Sequence, residues 1–238
     1  MKFSSLFLAI MFSAGLASAQ IVTNSFTFNP NQTIPDASAS GEAFSVNLNG
    51  MSGPIGNVSV NLNITGGFNG DLYAFLIDPS GSMAVLLNRS GMGAANPFGY
   101  SNAGFNITLN DAVGANSIHY YQNFSPTYSG GQLTGTWSAD GINIDPQSSP
   151  GSFDGAAALA GLSLFNGSDA NGNWTLFIAD LSAGGQSTLV SAGGQSTLVS
   201  WGLQIVTVPE PQSWLLLASG FGVLAVLSHR RVTKNGHK

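Results

Sequence analysis

The chain has 238 residues, no cysteine, a formal net charge of −5 and only 7% charged residues, against roughly 25% in an average globular domain. The lack of cysteine excludes thiol catalysis and thiolate metal sites. Arg89 is the only Lys or Arg between residues 20 and 208, set against ten carboxylates, so that stretch carries 1 − 10 = −9; nucleic acid, which needs clustered cations, is excluded as a partner, whereas a divalent cation suits the charge.

Lys2, the apolar run 3–12 and Ala17-Ser18-Ala19 have the order of a secretory signal. Signal peptidase is expected to cut after Ala19 and leave Gln20 as the new terminus. The apolar run is too short for a membrane span. Residues 20–43 are polar, include Pro30 and Pro35, and are expected to form a leader into a β domain over 44–207.

From Phe44 the pattern has period two. Phe44, Val46 and Leu48 alternate with Ser45, Asn47 and Asn49, and Val58, Val60, Leu62 and Ile64 alternate with Ser59, Asn61, Asn63 and Thr65; such segments are strands with one buried face. The continuously apolar 72–77 predicts a strand covered on both faces, and the turn Asp78-Pro79-Ser80-Gly81 returns the chain into a partner strand over 83–87. Further strands are expected at 105–109, 174–179 and 201–206, and the only helix-tolerant stretch is 156–162. Thirty-one glycines and many short strands with turns between them argue for an all-β antiparallel sandwich. SAGGQSTLV occurs at 182–190 and again at 191–199. An odd insertion inside a strand would flip its faces, so one copy is expected to loop out.

The chain then reads Pro209-Glu210-Pro211, an apolar run over 214–227, Arg230 and Arg231, and a basic end over 232–238. The run is short for a span, and the arginines would stay cytoplasmic, so a weak tail anchor in the membrane is expected. Residues 208–231 resemble the PEP-CTERM sorting signal. That resemblance implies processing by exosortase in a Gram-negative-type bacterium that makes exopolysaccharide. It also implies transient membrane anchoring and a final place in the cell envelope or extracellular matrix.

Three ordered stretches resemble the P domain (P/Homo B) of proprotein convertases. They are the "GDL" segment over 70–81, the "GNWTLFIAD" segment over 172–180 and the "LVSWGLQI" segment over 198–205. The resemblance implies a jelly-roll, galactose-binding-like β-sandwich, and it is poor over 91–152.

Catalytic residues are not expected: the sole histidine of 20–208 is His119, and nothing in the sequence brings a nucleophile within its reach. Calcium takes hard oxygen ligands, and among the turn aspartates Asp71, Asp78, Asp169 and Asp180 are the candidates, with turn chemistry as the alternative. The loop aromatics Tyr120, Tyr121 and Trp137 are candidates for a sugar site, with Tyr100 and Tyr128 beside them, whereas Trp174 and Trp201 are expected in the core. Eight Asn-x-Ser/Thr triplets occur, many of them by chance in so Asn-rich a chain. The expected function is a non-catalytic exported surface or matrix protein, structural or binding. Two alternatives stand beside it: a calcium-dependent carbohydrate-binding adhesion module, and an accessory of a secreted subtilisin-like protease.

Overall fold

The computed structural model describes residues 20–183, 195–208 and Phe221. Residues 21–208 form one compact unit. The expected signal segment with Ala17 and Ala19, and the tail with Pro209, Glu210, Pro211, Arg230 and Arg231, lie outside the described residues. The apolar run 214–227 does as well, apart from Phe221. Among the described residues no helix is long and apolar enough to cross a membrane.

Eleven strands build two sheets. In chain order they are β1 (Val22–Phe28), β2 (Gln32–Thr33), β3 (Ser38–Leu48), β4 (Ile55–Thr65), β5 (Leu72–Ile77), β6 (Met83–Asn88), β7 (Phe105–Leu109), β8 (Tyr128–Ser129), β9 (Gln132–Trp137), β10 (Gly172–Asp180) and β11 (Thr197–Thr207). The larger sheet runs β1-β11-β4-β7-β9-β8, with β2 also on β11, and the smaller runs β3-β10-β5-β6. Early strands thus lie beside late ones. The all-β sandwich is as expected from the sequence.

The period-two pattern is what allows the sheets to stack. On β4, Val58, Val60, Leu62 and Ile64 are buried; on β10, Trp174, Leu176 and Ile178; on β11, Trp201, Leu203 and Ile205. All belong to one apolar core with Leu72 and Leu76 of β5. Trp174 donates its indole N–H to the Ala170 carbonyl at 2.9 Å, so its polar atom is satisfied inside the core. Trp201 packs on Phe28 with ring centroids 4.7 Å apart.

Four expectations need correction. The leader is structured: β1, β2 and the first half of β3 occupy it, because β1 and β2 both add to β11 and would otherwise leave that strand with an open edge. The pairing is not wholly antiparallel, since β7 and β9 are parallel; the chain between them makes the long crossover that parallel neighbours require. β5 is buried on one face only. Tyr73, Phe75 and Ile77 are half-buried on its outer side, where Phe75 stacks on Phe177 at 4.8 Å. The stretch 156–162 is not helical, because the Leu159 and Ala160 amides bond to the Gly141 carbonyl and the Ala160 carbonyl accepts from Val85.

The end of the second copy of the tandem repeat enters β11. Thr197 and Leu198 pair with Thr65 and Ile64 of β4 and with Thr33 and Gln32 of β2, and Leu198 is fully buried. Of the first copy only Ser182 and Ala183, just beyond the end of β10, are among the described residues.

Candidate functional site

One end of the smaller sheet gathers most of the interior charge. Asp71 lies just before β5, Arg89 just after β6 and Asp180 at the end of β10. These are the ends of neighbouring strands, and all three side chains are at least nine-tenths buried. Arg89 adopts a left-handed backbone (φ 54°), which a side chain rarely takes without compensation. The compensation is visible: its Nε donates to the Gly70 carbonyl at 3.1 Å, its Nη2 donates to Ser182 Oγ at 3.0 Å, and the same group lies 3.7 Å from Asp71 Oδ1. Asp180 Oδ2 accepts from Ser196 Oγ at 2.9 Å. Gly67 closes over this pair, and a Cβ there would overlap Ser196 Oγ.

Burial and, after it, the neighbouring Asp180 charge raise the Asp71 pKa, Arg89 opposes both, and the net result is about 6. Asp180 is also raised, first by burial, and its Oδ1 has no hydrogen-bond partner among the described residues. The cluster is therefore a clamp that holds the ends of β5 and β6 beside the end of β10 around one cation. That cation is already engaged by Asp71.

The other candidate metal ligands are spread apart. Asp78 is buried and saturated: it accepts from the Ser80 and Ser82 amides and from the Ser80 and Ser168 hydroxyls. Asp169 is exposed and accepts from the Asn171 amide and side chain, which lowers its pKa. Both perform the turn chemistry that was the alternative to metal ligation. Among the described residues no three or more His, Asp or Glu side chains are placed to hold a metal ion.

A second buried pair was not legible in the sequence. His119 and Asp140 are both fully buried, and His119 Nδ1 lies 2.8 Å from Asp140 Oδ2 while Nε2 lies 3.1 Å from the Met92 carbonyl. The Asn88 and Ile142 amides also donate to Asp140, and the imidazole stacks on Phe153 at 5.9 Å. A carbonyl only accepts, so Nε2 carries a proton. Burial would lower the His119 pKa, but the hydrogen bond and charge of Asp140 outweigh it and raise it.

The candidate sugar-binding aromatics are mostly interior. Tyr121 is fully buried, and its hydroxyl donates to Asn102 Oδ1 at 3.0 Å and accepts from Asn69 Nδ2 at 3.1 Å. Trp137 is 6% exposed and belongs to the core. Neither offers a ring to a ligand, because loop position in the sequence does not reveal that the crossover folds back onto the sheet. Tyr120 keeps an accessible side, with its other face against His119.

The sequence pattern of the proprotein convertase P-domain matches residues 55–205. Among curated protein sequences none matches the chain. Two solved structures of a serine protease from Aeromonas sobria are similar in fold, each at 16% identity. In the first, a complex with the chaperone, the match covers 81% of this chain and 28% of that one, with a TM-score of 0.44. In the second it covers 79% and 27%, with a TM-score of 0.42. The chain thus spans less than a third of the length of those proteins.

Proposed function

We propose that this chain, which belongs to the proprotein convertase P-domain family, is a non-catalytic binding or scaffold module that works outside the cytoplasm. The observation that carries this is the state of His119. It is the only histidine of 20–208, and the nitrogen that would take a nucleophile's proton faces the Met92 carbonyl instead. A hydrolytic triad requires that nitrogen to face a hydroxyl. Asp71 and Asp180, which stand in the family-like motifs, are occupied with holding strand ends together.

Delivery rests on the two ends of the sequence: a signal segment cut before Gln20 by signal peptidase, and a PEP-CTERM-like tail centred on Pro209-Glu210-Pro211 and read by exosortase. Two prolines keep such a tripeptide extended and open to an enzyme. The test is expression of the full chain in a bacterium that carries an exosortase, followed by N-terminal sequencing and fractionation. The mature protein is expected to start at Gln20 and to sit in the envelope or matrix, and Glu210→Ala should leave the tail uncut. A chain that keeps Met1 and stays in the cytosol would overturn the export reading.

Family membership favours one second reading, an accessory that stabilises a secreted subtilisin-like protease. Adding the purified chain should then lengthen that protease's half-life at elevated temperature; an unchanged half-life removes this reading and leaves the first.

A further inference from the structure

The outer face of the larger sheet has a composition that the clamp and the core do not explain. On β4, Asn61 and Asn63 point outward because Val60, Leu62 and Ile64 between them are buried. The register sets them in two rungs that cross four strands. One rung runs Gly202, Asn61, Thr108, Thr136, and the other Ser200, Asn63, Asn106, Thr134. Six of these residues, Asn61, Asn63, Asn106, Thr108, Thr136 and Ser200, line a shallow depression of about 400 Å³ together with Leu62, Ile107 and Gly135. None of the eight positions carries a charge or an apolar side chain. Two of the Asn-x-Thr triplets, at Asn63 and Asn106, are explained by this face, because period two puts the Asn and the Thr of such a triplet on the same side of a strand.

We propose that this face binds a neutral polysaccharide chain. The inference names a ligand for the binding-module reading and rests on it, but it does not depend on export or on the tail. A protein partner would need aromatic or aliphatic anchors that desolvate at the centre of an interface, and the rungs offer none. A nucleic acid or an acidic polysaccharide would need cations, and the one cation of the domain is buried in the clamp on the other sheet. A neutral glycan presents hydroxyls that both donate and accept, and carboxamides and hydroxyls match that capacity.

The amides are also pre-set. Thr108 Oγ1 donates to Asn61 Oδ1 at 2.7 Å, and Gln132 Nε2 donates to Asn63 Oδ1 at 2.8 Å. Each Oδ1 is thus held by one hydrogen bond within the protein, which fixes the side chain and leaves its second lone pair and the Nδ2 amino group for a ligand. Holding a side chain in place beforehand removes part of the ordering cost of binding. Adjacent strands repeat these groups at about 4.8 Å, a spacing that serves an extended polymer better than a single small sugar.

The test is affinity gel electrophoresis of the purified, exported full chain through dextran, galactomannan, mixed-linkage β-glucan and, as the anionic control, alginate, all with excess chelator. Retardation is expected on at least one neutral gel and not on alginate. Asn63→Ala with Asn106→Ala should weaken it at least tenfold while the thermal midpoint falls by only a few degrees, since Asn106 is exposed and Asn63, half-buried, loses one hydrogen bond from Gln132. If that pair disturbs folding, Thr136→Ala serves as the milder variant and should weaken retardation severalfold. Passage of the folded chain through every neutral gel without delay would overturn the proposal. So would retardation that survives the variants, that chelator abolishes, or that Tyr120→Ala removes in their place. A failure here in a chain that still matures at Gln20 leaves the export reading intact.

Discussion

His119 holds a proton on each ring nitrogen's side: one faces the Met92 carbonyl and the other is shared with Asp140. Removing the ring leaves a fully buried carboxylate without its counter-charge, and breaking such a pair costs about 3–5 kcal/mol. His119→Ala is therefore expected to lower the thermal midpoint by many degrees and shift urea unfolding by that amount, whereas a role limited to surface packing would leave both within a fraction of a kcal/mol. Protonation adds a pH dependence whose sign is fixed. Asp71 has a pKa of about 6, above its ordinary 3.8, so the folded state binds that proton more tightly. This contribution is complete below about pH 4 and is lost as pH rises through about 6. His119, also raised, acts in the same direction at higher pH, its contribution lost above its ordinary 6.5. The midpoint should thus fall as pH rises from 4 to 8. Asp71→Asn should flatten the lower part of that fall, and an unchanged profile in the variant would show that the clamp does not titrate in this range.

The repeat is the clearest test at the scale of an element. Because its two copies are identical, deleting nine residues restores one SAGGQSTLV whichever copy is cut. The shortened chain keeps a serine at the Arg89 contact, a serine for Asp180 and the Thr-Leu-Val that enters β11. Halving the connection between β10 and β11 changes closure entropy by only about 0.6 kcal/mol, so the deletion should leave the melt nearly unchanged or slightly raised; a large loss would mean that the extra copy packs on the domain.

The same scale shows what the sequence reveals and what it conceals. β5 and β7 were legible residue for residue, because an apolar run or a strict alternation ends at a turn signal. β1, with Thr23, Asn24 and Ser25 ahead of its two phenylalanines and Pro30 close behind, has too little apolar weight, and only its long-range pairing with β11 makes it a strand. β9 is interrupted by Gly135 at φ 103° and is paired in parallel, which no local pattern specifies. Asp71 and Asp180 stood in recognisable motifs, but Arg89 did not, and the meeting of His119 with Asp140 is created by the crossover itself.

At the scale of the whole domain, the net charge of −9 over residues 20–208 is divided between an interior that neutralises itself and an acidic surface. Asp71 pairs with Arg89, Asp180 accepts from Ser196, Asp140 faces His119, and Asp78 is wrapped by donors. The carboxylates left on the surface repel one another in the folded state, and added ions screen that repulsion within about 10 Å at 0.1 M. Raising sodium chloride from 20 to 300 mM should therefore raise the midpoint by a few degrees. Calcium chloride separates screening from binding: a ligand held only by the folded state adds stabilisation that grows with its concentration, whereas screening follows ionic strength. With Asp78 saturated and Asp169 bound to its own turn, the expected outcome is that sodium and calcium salts of equal ionic strength, the latter at millimolar calcium, give the same midpoint. A further rise specific to calcium, reversed by chelator, would mean that the Asp71–Asp180 pair, with its unpartnered Asp180 Oδ1, exchanges Arg89 for a metal ion, and Asp180→Asn should then remove that rise.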